Sequence, residues 1–424
     1  MLRLIYSKKY LPLVFVLLVT CLVYSPILSN DFLYSWDDQW MVMNRYTEQG
    51  WTLNNLWHIF TDFYNGQYGP LTELNYLFIY SFVGYTPWTF HLASLLWHLG
   101  CVYLVWKFIS TLLRMNGNMI ESDICIVSFI TTFLFAIHPV NVEAIAWISA
   151  VKVLIYGFFY LLGLLFYLKY LETRSFQQYV YVIICFVISF LGKEQAVTFS
   201  LMLLLIDWFV HRDLKDELLW YEKFPFFVLA IFFGFVTILS QGAGGGKTTF
   251  PLLQRLVFLS YSIVEYLTKS LLPVKLNYLY PFPIIPGEKM PVRFYIYPLI
   301  CICMLAWLYI YRKNKYILFG VILFTINLMV SIHIIPMSRH AIVADRYMYL
   351  SYIGIAFLLS YWVDILFKNG IVGKKTLILC FIIYCVYFMG YTCCYSHRWE
   401  NTIKMKEYIK ELIENRFDYI GHSN

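Results

Sequence analysis

Two carboxylates stand side by side in Ser35-Trp36-Asp37-Asp38, just past the first apolar run of the chain. Acidic residues contribute little to membrane orientation, so topology gives no reason for them there. A carboxylate at a membrane rim can take a proton from an acceptor hydroxyl, and a neighbouring one can orient that acceptor or shift its partner's pKa. A solvated loop pair is the alternative, and spacing alone favours neither. In His138-Pro139-Val140-Asn141-Val142-Glu143 the proline breaks a helix and leaves Glu143 at the mouth of a bundle. An ionisable group near lipid is a functional candidate. A glutamate that merely favours the positive N-terminus of the next helix explains it nearly as well.

The cations fall at similar places. Lys152 opens the following apolar run, either snorkelling or kept for a phosphate. Lys193 and Glu194 interrupt what is otherwise one apolar stretch from Tyr179 to Trp208, as an ion pair, a lipid-phosphate site, or both. Arg346, after Asp345, offers a planar fork for phosphate oxygens, and a structural Asp345–Arg346 pair is the competing reading.

Other motifs carry less. Gly242 to Thr249 has the look of a phosphate loop, but Gln241 stands where its first glycine belongs and no strand precedes it. A loop on the outside, including Thr248, is the expectation. His91 and His98 share one face of a span without convergent partners, and read as bundle histidines. The ten cysteines fall mostly in or beside apolar runs, so no disulfide framework is expected.

The elements that must position these residues are membrane helices. Of the 424 residues 60% are hydrophobic and 13% charged, with apolar runs about as long as a bilayer is thick, which excludes a soluble domain. The net charge of +7 sits in short clusters between these runs, the positive-inside pattern, and not in a nucleic-acid-binding surface. Alternating those clusters, with the N-terminus inside, places about eleven spans. They lie near 11–29, 89–113, 124–137, 149–170, 178–191, 195–210, 224–240, 294–311, 316–336, 347–366 and 376–394. The fold class is thus all-α, a polytopic membrane helix bundle. Residues 1–396 form the membrane domain and 397–424 a short outside tail. Parity makes 252–272 an interfacial or re-entrant helix, with Arg255, Ser262, Glu265 and Lys269 on one stripe. The outside loops are 29–86 and 273–293. The first holds a surface helix capped by Thr52 and another from Leu71 to Phe82, and the second is proline-punctuated and irregular.

Taken in chain order, Trp36-Asp37-Asp38, Tyr68-Gly69-Pro70-Leu71 with Asn75, His91 and His98, His138-Pro139 with Glu143, Lys193-Glu194 and Ala344-Asp345-Arg346-Tyr347 resemble the GT-C membrane glycosyltransferases. The likeness is to protein O-mannosyltransferase relatives that often carry tetratricopeptide repeats. It implies a bundle of roughly eleven to thirteen helices, a polyprenyl-phosphate sugar donor and a protein or glycan hydroxyl acceptor. It also implies inverting transfer of mannose or another hexose on the outer face. Carried onto this chain, Asp37 or Asp38 is the base, and Arg346 and Lys193, joined by Lys152, hold the donor phosphate. Glu143, His138, Glu194 and Asp345 support them. Some relatives use a divalent metal, and no ligand set is visible here. The chain departs from the pattern at Gly69, where an arginine is usual, at Val153, where Lys152 lacks its following acid, and in having no repeats. Competing readings are a glycan polymerase or ligase using the same donor and a flippase of lipid-linked sugars. A flippase is disfavoured because the charges gather at one face and no repeated halves are seen. The lack of an Asn-x-Ser/Thr sequon favours a bacterial inner membrane over the endoplasmic reticulum.

Overall fold

A computed structural model describes residues 10–242, 250–332, 341–370 and 373–414. The loop around Thr248 therefore lies outside the described residues. Each of the expected spans overlaps a helix, because a chain without water to satisfy its backbone must bond within its own segment. The helix at 316–336 ends at Leu328, and the last residues of that span lie outside the described residues. Among the described residues six helices are long and apolar enough to cross a membrane: Leu11–Ser29, Pro87–Asn116, Ile148–Thr173, Glu217–Ser240, Val292–Ile310 and Lys374–Arg398. A seventh is the pair Glu121–Ile137 and Pro139–Ala146 if taken as one span bent by 49°, and Phe176–Gly192 and Lys315–Leu328 are shorter apolar helices. Among the described residues there is no strand, only the isolated bridges Tyr64–Gln67 and Tyr280–Val343.

Burial separates the centre of the bundle from its lipid-facing rim. The Ile148–Thr173 helix is 72% buried over its most apolar window and Val292–Ile310 only 6%, so the first is the core post and the second presents its apolar side chains outward. The core post packs on Pro87–Asn116 and Phe176–Gly192. The bend before it has a local cause. Pro139 cannot continue the helix, and the His138 ring accepts the Val140 N–H at 3.2 Å while its other nitrogen bonds the Ser270 carbonyl at 3.2 Å. His138 is fully buried between Tyr352 and Phe388, with ring centroids 3.9 and 4.4 Å away. Its role in this fold is to hold the bend.

Where Lys315–Leu328 crosses Tyr352–Asn369, the helices meet at glycine. A Cβ on Gly354 would lie 2.4 Å from the Gly320 carbonyl oxygen and 2.7 Å from the Phe324 nitrogen, both backbone atoms that cannot step aside. Gly354→Ala is expected to destabilise the crossing by about 1–3 kcal/mol. Gly390→Ala, with nothing within 4 Å, should melt like the native protein. Equal melting temperatures for the two variants in detergent would show that the crossing is looser than described.

Two helices longer than a single turn lie in the segment 29–86. Thr52 caps Leu53–Thr61 by accepting the Asn55 N–H at 3.1 Å, and the second helix is Pro70–Val83. Leu53, Trp57 and Phe60 on the first are exposed, as a helix resting on a bilayer surface would have them. The Leu252–Leu271 helix turns part of its polar stripe inward, with Ser262 and Lys269 buried. The irregular chain after it bonds back through Tyr280 and carries the Ile342 N–H on the Tyr280 carbonyl at 2.8 Å. Trp399 and Met405 anchor the C-terminal segment in the core.

Candidate functional site

Nearly all of the charged residues singled out in the sequence meet at one end of the bundle. Asp37 begins the short Asp38–Met41 turn and has φ of +109°, which L side chains rarely adopt and which is held here by the surrounding structure. Its carbonyl accepts the Trp40 and Met41 N–H groups at 3.0 and 2.8 Å, and its carboxylate accepts the Trp40 indole N–H at 3.1 Å. The side chain is half-buried.

Asp38 is a different residue in kind. It is fully buried, accepts the Leu33 N–H at 2.8 Å and the Ser149 N–H at 3.1 Å, and takes the Ser149 hydroxyl as well. Loss of water pushes its carboxyl up to about 6, partly offset by those donors. Asp38 therefore clamps the first outer loop onto the turn that precedes Lys152.

Lys152 stands one helix turn from that clamp. Its ammonium donates to Gln67 at 2.7 Å and lies within electrostatic reach of Lys193, Glu194, Arg346 and Asp37. Lys193, buried, pairs with Glu194 at 3.5 Å and lies 5.7 Å from the centre of the Tyr347 ring. Arg346 does not pair with Asp345. Its backbone N–H goes to Glu143 at 2.8 Å, its guanidinium bonds the other oxygen of that carboxylate, and its plane lies over Trp147 at 5.2 Å. Asp345 instead takes the Lys269 ammonium at 3.1 Å and the Tyr280 hydroxyl at 2.9 Å. The 3-10 turn Asp345–Met348 thus sends adjacent charges to separate partners.

Three contributors were missed in the sequence. Glu73 sits in the first turn of Pro70–Val83, where an acid reads as a complement to the helix dipole. Gln67 gave no signal at all. Lys269 was visible only as part of a polar stripe. His98 bonds the Tyr349 hydroxyl at 2.7 Å and the Ala136 carbonyl at 3.1 Å, a satisfied bundle histidine. All ten cysteines are free. Among the described residues no three His, Cys, Asp or Glu side chains converge to hold a metal ion.

Chemically, this is a water-facing carboxylate beside three cations at the end of a membrane bundle, a centre suited to deprotonating a hydroxyl next to a bound anion. No protein-family model matches the chain. It is 30% identical over 210 residues to Protein O-mannosyl-transferase TMTC2 of Mus musculus and to that of Homo sapiens, a stretch covering 46% of this chain and 23% of each relative. It is also 26% identical over 220 residues to Protein O-mannosyl-transferase TMTC1 of Homo sapiens, covering 47% of this chain and 24% of that one. The chain thus resembles protein O-mannosyl-transferases, aligning with about a quarter of their length. These relatives are animal proteins, which gives no support to the bacterial membrane expected from the missing sequon.

Proposed function

We propose that this protein is a multi-pass membrane glycosyltransferase that moves a hexose, mannose foremost, from a polyprenyl-phosphate donor to a hydroxyl on a protein acceptor. The observation that carries the reading is the convergence of Asp37, Lys152, Lys193 and Arg346, brought from four separated parts of the chain to one bundle end. Asp37 takes the proton of the acceptor hydroxyl, the oxygen attacks the anomeric carbon, and the bond to the donor phosphate breaks with inversion. Arg346, Lys193 and Lys152 stabilise the departing phosphate. The names of the relatives support the sugar and the acceptor.

The test is transfer in detergent with polyprenyl-phosphate mannose, and with the matching glucose and galactose lipids, to serine- and threonine-containing peptides, read by mass spectrometry. Hexose on the peptide supports the reading. Peptide left unmodified while a glycan is extended would move the protein to the polymerase class, and no transfer from any of these donors would overturn it.

The site is proposed to face away from the cytoplasm. Lys289 is exposed in the 273–293 loop. In a variant whose exposed cysteines are replaced, Lys289→Cys should react with an impermeant maleimide from the outside of intact cells or right-side-out vesicles, and Lys313→Cys only after permeabilisation. The reverse pattern would invert the sidedness of every residue of the site.

A further inference from the structure

Glu73 has no role in the mechanism above, yet it is bonded to the Asp37 segment and lies within electrostatic reach of Lys152. One oxygen of its carboxyl accepts the Asn44 amide at 3.0 Å. The same amide nitrogen donates to the Met41 carbonyl at 2.9 Å, the end of the turn that Asp37 begins. The Asn44 side-chain oxygen caps the next turn by accepting the Tyr46 and Thr47 N–H groups. Glu73 thus fastens the chain just after Asp37 to the Pro70–Val83 helix. That helix is itself set against the Lys193 corner, where the Thr72 hydroxyl reaches the Gly192 carbonyl at 3.4 Å.

The Lys152 ammonium lies within electrostatic reach of Glu73. The residue after Lys152 is Val153, apolar and fully buried, so the carboxylates around this lysine come from other elements. Gln67, the direct partner of Lys152, is aimed by the Tyr64–Gln67 turn, whose central Asn65 and Gly66 both have positive φ, +47° and +74°. Gln67 thus holds Lys152 by a hydrogen bond, and Glu73, on the helix that follows Gln67, adds its charge at longer range.

We propose that Glu73 is a positioning residue of the transfer reaction, its carboxylate setting the Asp37 turn and the Lys152 ammonium in their working places; this rests on the transferase reading. The groups that face it are Lys152 from the core post, the neutral Asn44, and Tyr76 on its own helix, with Asp38 beyond that tyrosine. Removal from water pushes the Glu73 carboxyl up to about 7, against the opposing pull of Asn44 and Lys152. Only its ionised form attracts Lys152. Transfer by the native protein should therefore rise as pH climbs from the acid side toward about 7. Glu73→Gln keeps an acceptor for Asn44 but carries no charge, and should not follow.

The experiment measures kcat/KM with polyprenyl-phosphate mannose across this range for the native protein, Glu73→Gln and Glu73→Asp. Glu73→Gln should match the native enzyme on the acid side, where Glu73 is protonated, and trail it by about tenfold near neutral pH, with Glu73→Asp between. Parallel native and Glu73→Gln profiles, with the native protein active, overturn the Glu73 proposal alone. No turnover by the native protein overturns the transferase reading and this proposal with it.

Melting temperature supplies a readout free of catalysis. A carboxyl raised in the folded state contributes stability that is present below its unfolded pKa and lost as pH rises through the folded one. Melting of Glu73→Gln relative to native should accordingly improve from about pH 4.5 to about 7. A difference that stays flat with pH overturns the proposal as well.

Discussion

Asp37→Asn is expected to reduce transfer by about a hundred- to ten-thousandfold, the usual range for loss of a general base, with melting temperature unchanged. The structure gives reasons for both halves of that result. Asn tolerates positive φ better than most residues, so the +109° backbone is retained. Its side-chain oxygen still accepts the Trp40 indole N–H, so the turn keeps its shape. What is lost is the capacity to hold a proton at the point where the loop meets Lys152. Asp38→Asn should fail in another way. Both oxygens of Asp38 accept hydrogen bonds, and an amide nitrogen in place of either one faces a buried N–H or leaves it unsatisfied, at about 1–3 kcal/mol. Its signature is a lower folded yield and melting temperature, with residual turnover per folded molecule above that of Asp37→Asn. Turnover assayed on monodisperse protein, beside thermal melts, separates the two. Full activity in Asp37→Asn ends its assignment as base, and a stable but inactive Asp38→Asn would transfer the role to its neighbour.

The helices and the apolar runs they carry were legible because both are written locally. A run of apolar residues about as long as a bilayer is thick has one low-energy form in lipid, and charges collect where it ends. Partners were not legible, since they depend on which helix ends meet. Asp38 finds Ser149 across 111 positions and Arg346 finds Glu143 across 203. The competing reading of an Asp345–Arg346 pair fails because one turn of 3-10 helix points neighbouring side chains apart, toward Lys269 and Glu143. Lys193 and Glu194, by contrast, do pair. His138 was visible as a residue at a helix break, but its two hydrogen bonds and its place between aromatic rings show a part that holds the bend. Val153 left Lys152 without the acid expected beside it in sequence. The carboxylates within reach of it, Asp37, Glu73 and Glu194, come from other parts of the chain, which a single sequence does not display.

Arg346 gives the second large effect, and its partner changes how the experiment must be done. Glu143 is 1% exposed and its carboxylate is satisfied by the Arg346 guanidinium and backbone N–H. Arg346→Ala strands that charge in the core, and breaking such a pair from one side costs about 3–5 kcal/mol, so this variant is expected to express poorly whatever Arg346 does for the donor. Pairing the change with Glu143→Gln removes the stranded charge while a side-chain oxygen remains for the Arg346-position N–H, and folded yield should recover. The double variant then isolates the donor contact. The Arg346 side chain is still 21% exposed, so it has surface to offer a phosphate beyond its bond to Glu143. A charge-assisted hydrogen bond contributes about 1.5–3 kcal/mol, which predicts an apparent KM for the polyprenyl-phosphate donor raised about ten- to hundredfold, with acceptor KM little changed. Arg346→Lys should fall between, keeping the charge and losing the planar fork. A well-folded double variant with native donor dependence would leave Arg346 as the partner of Glu143 and nothing more, and the phosphate would then fall to Lys193 and Lys152.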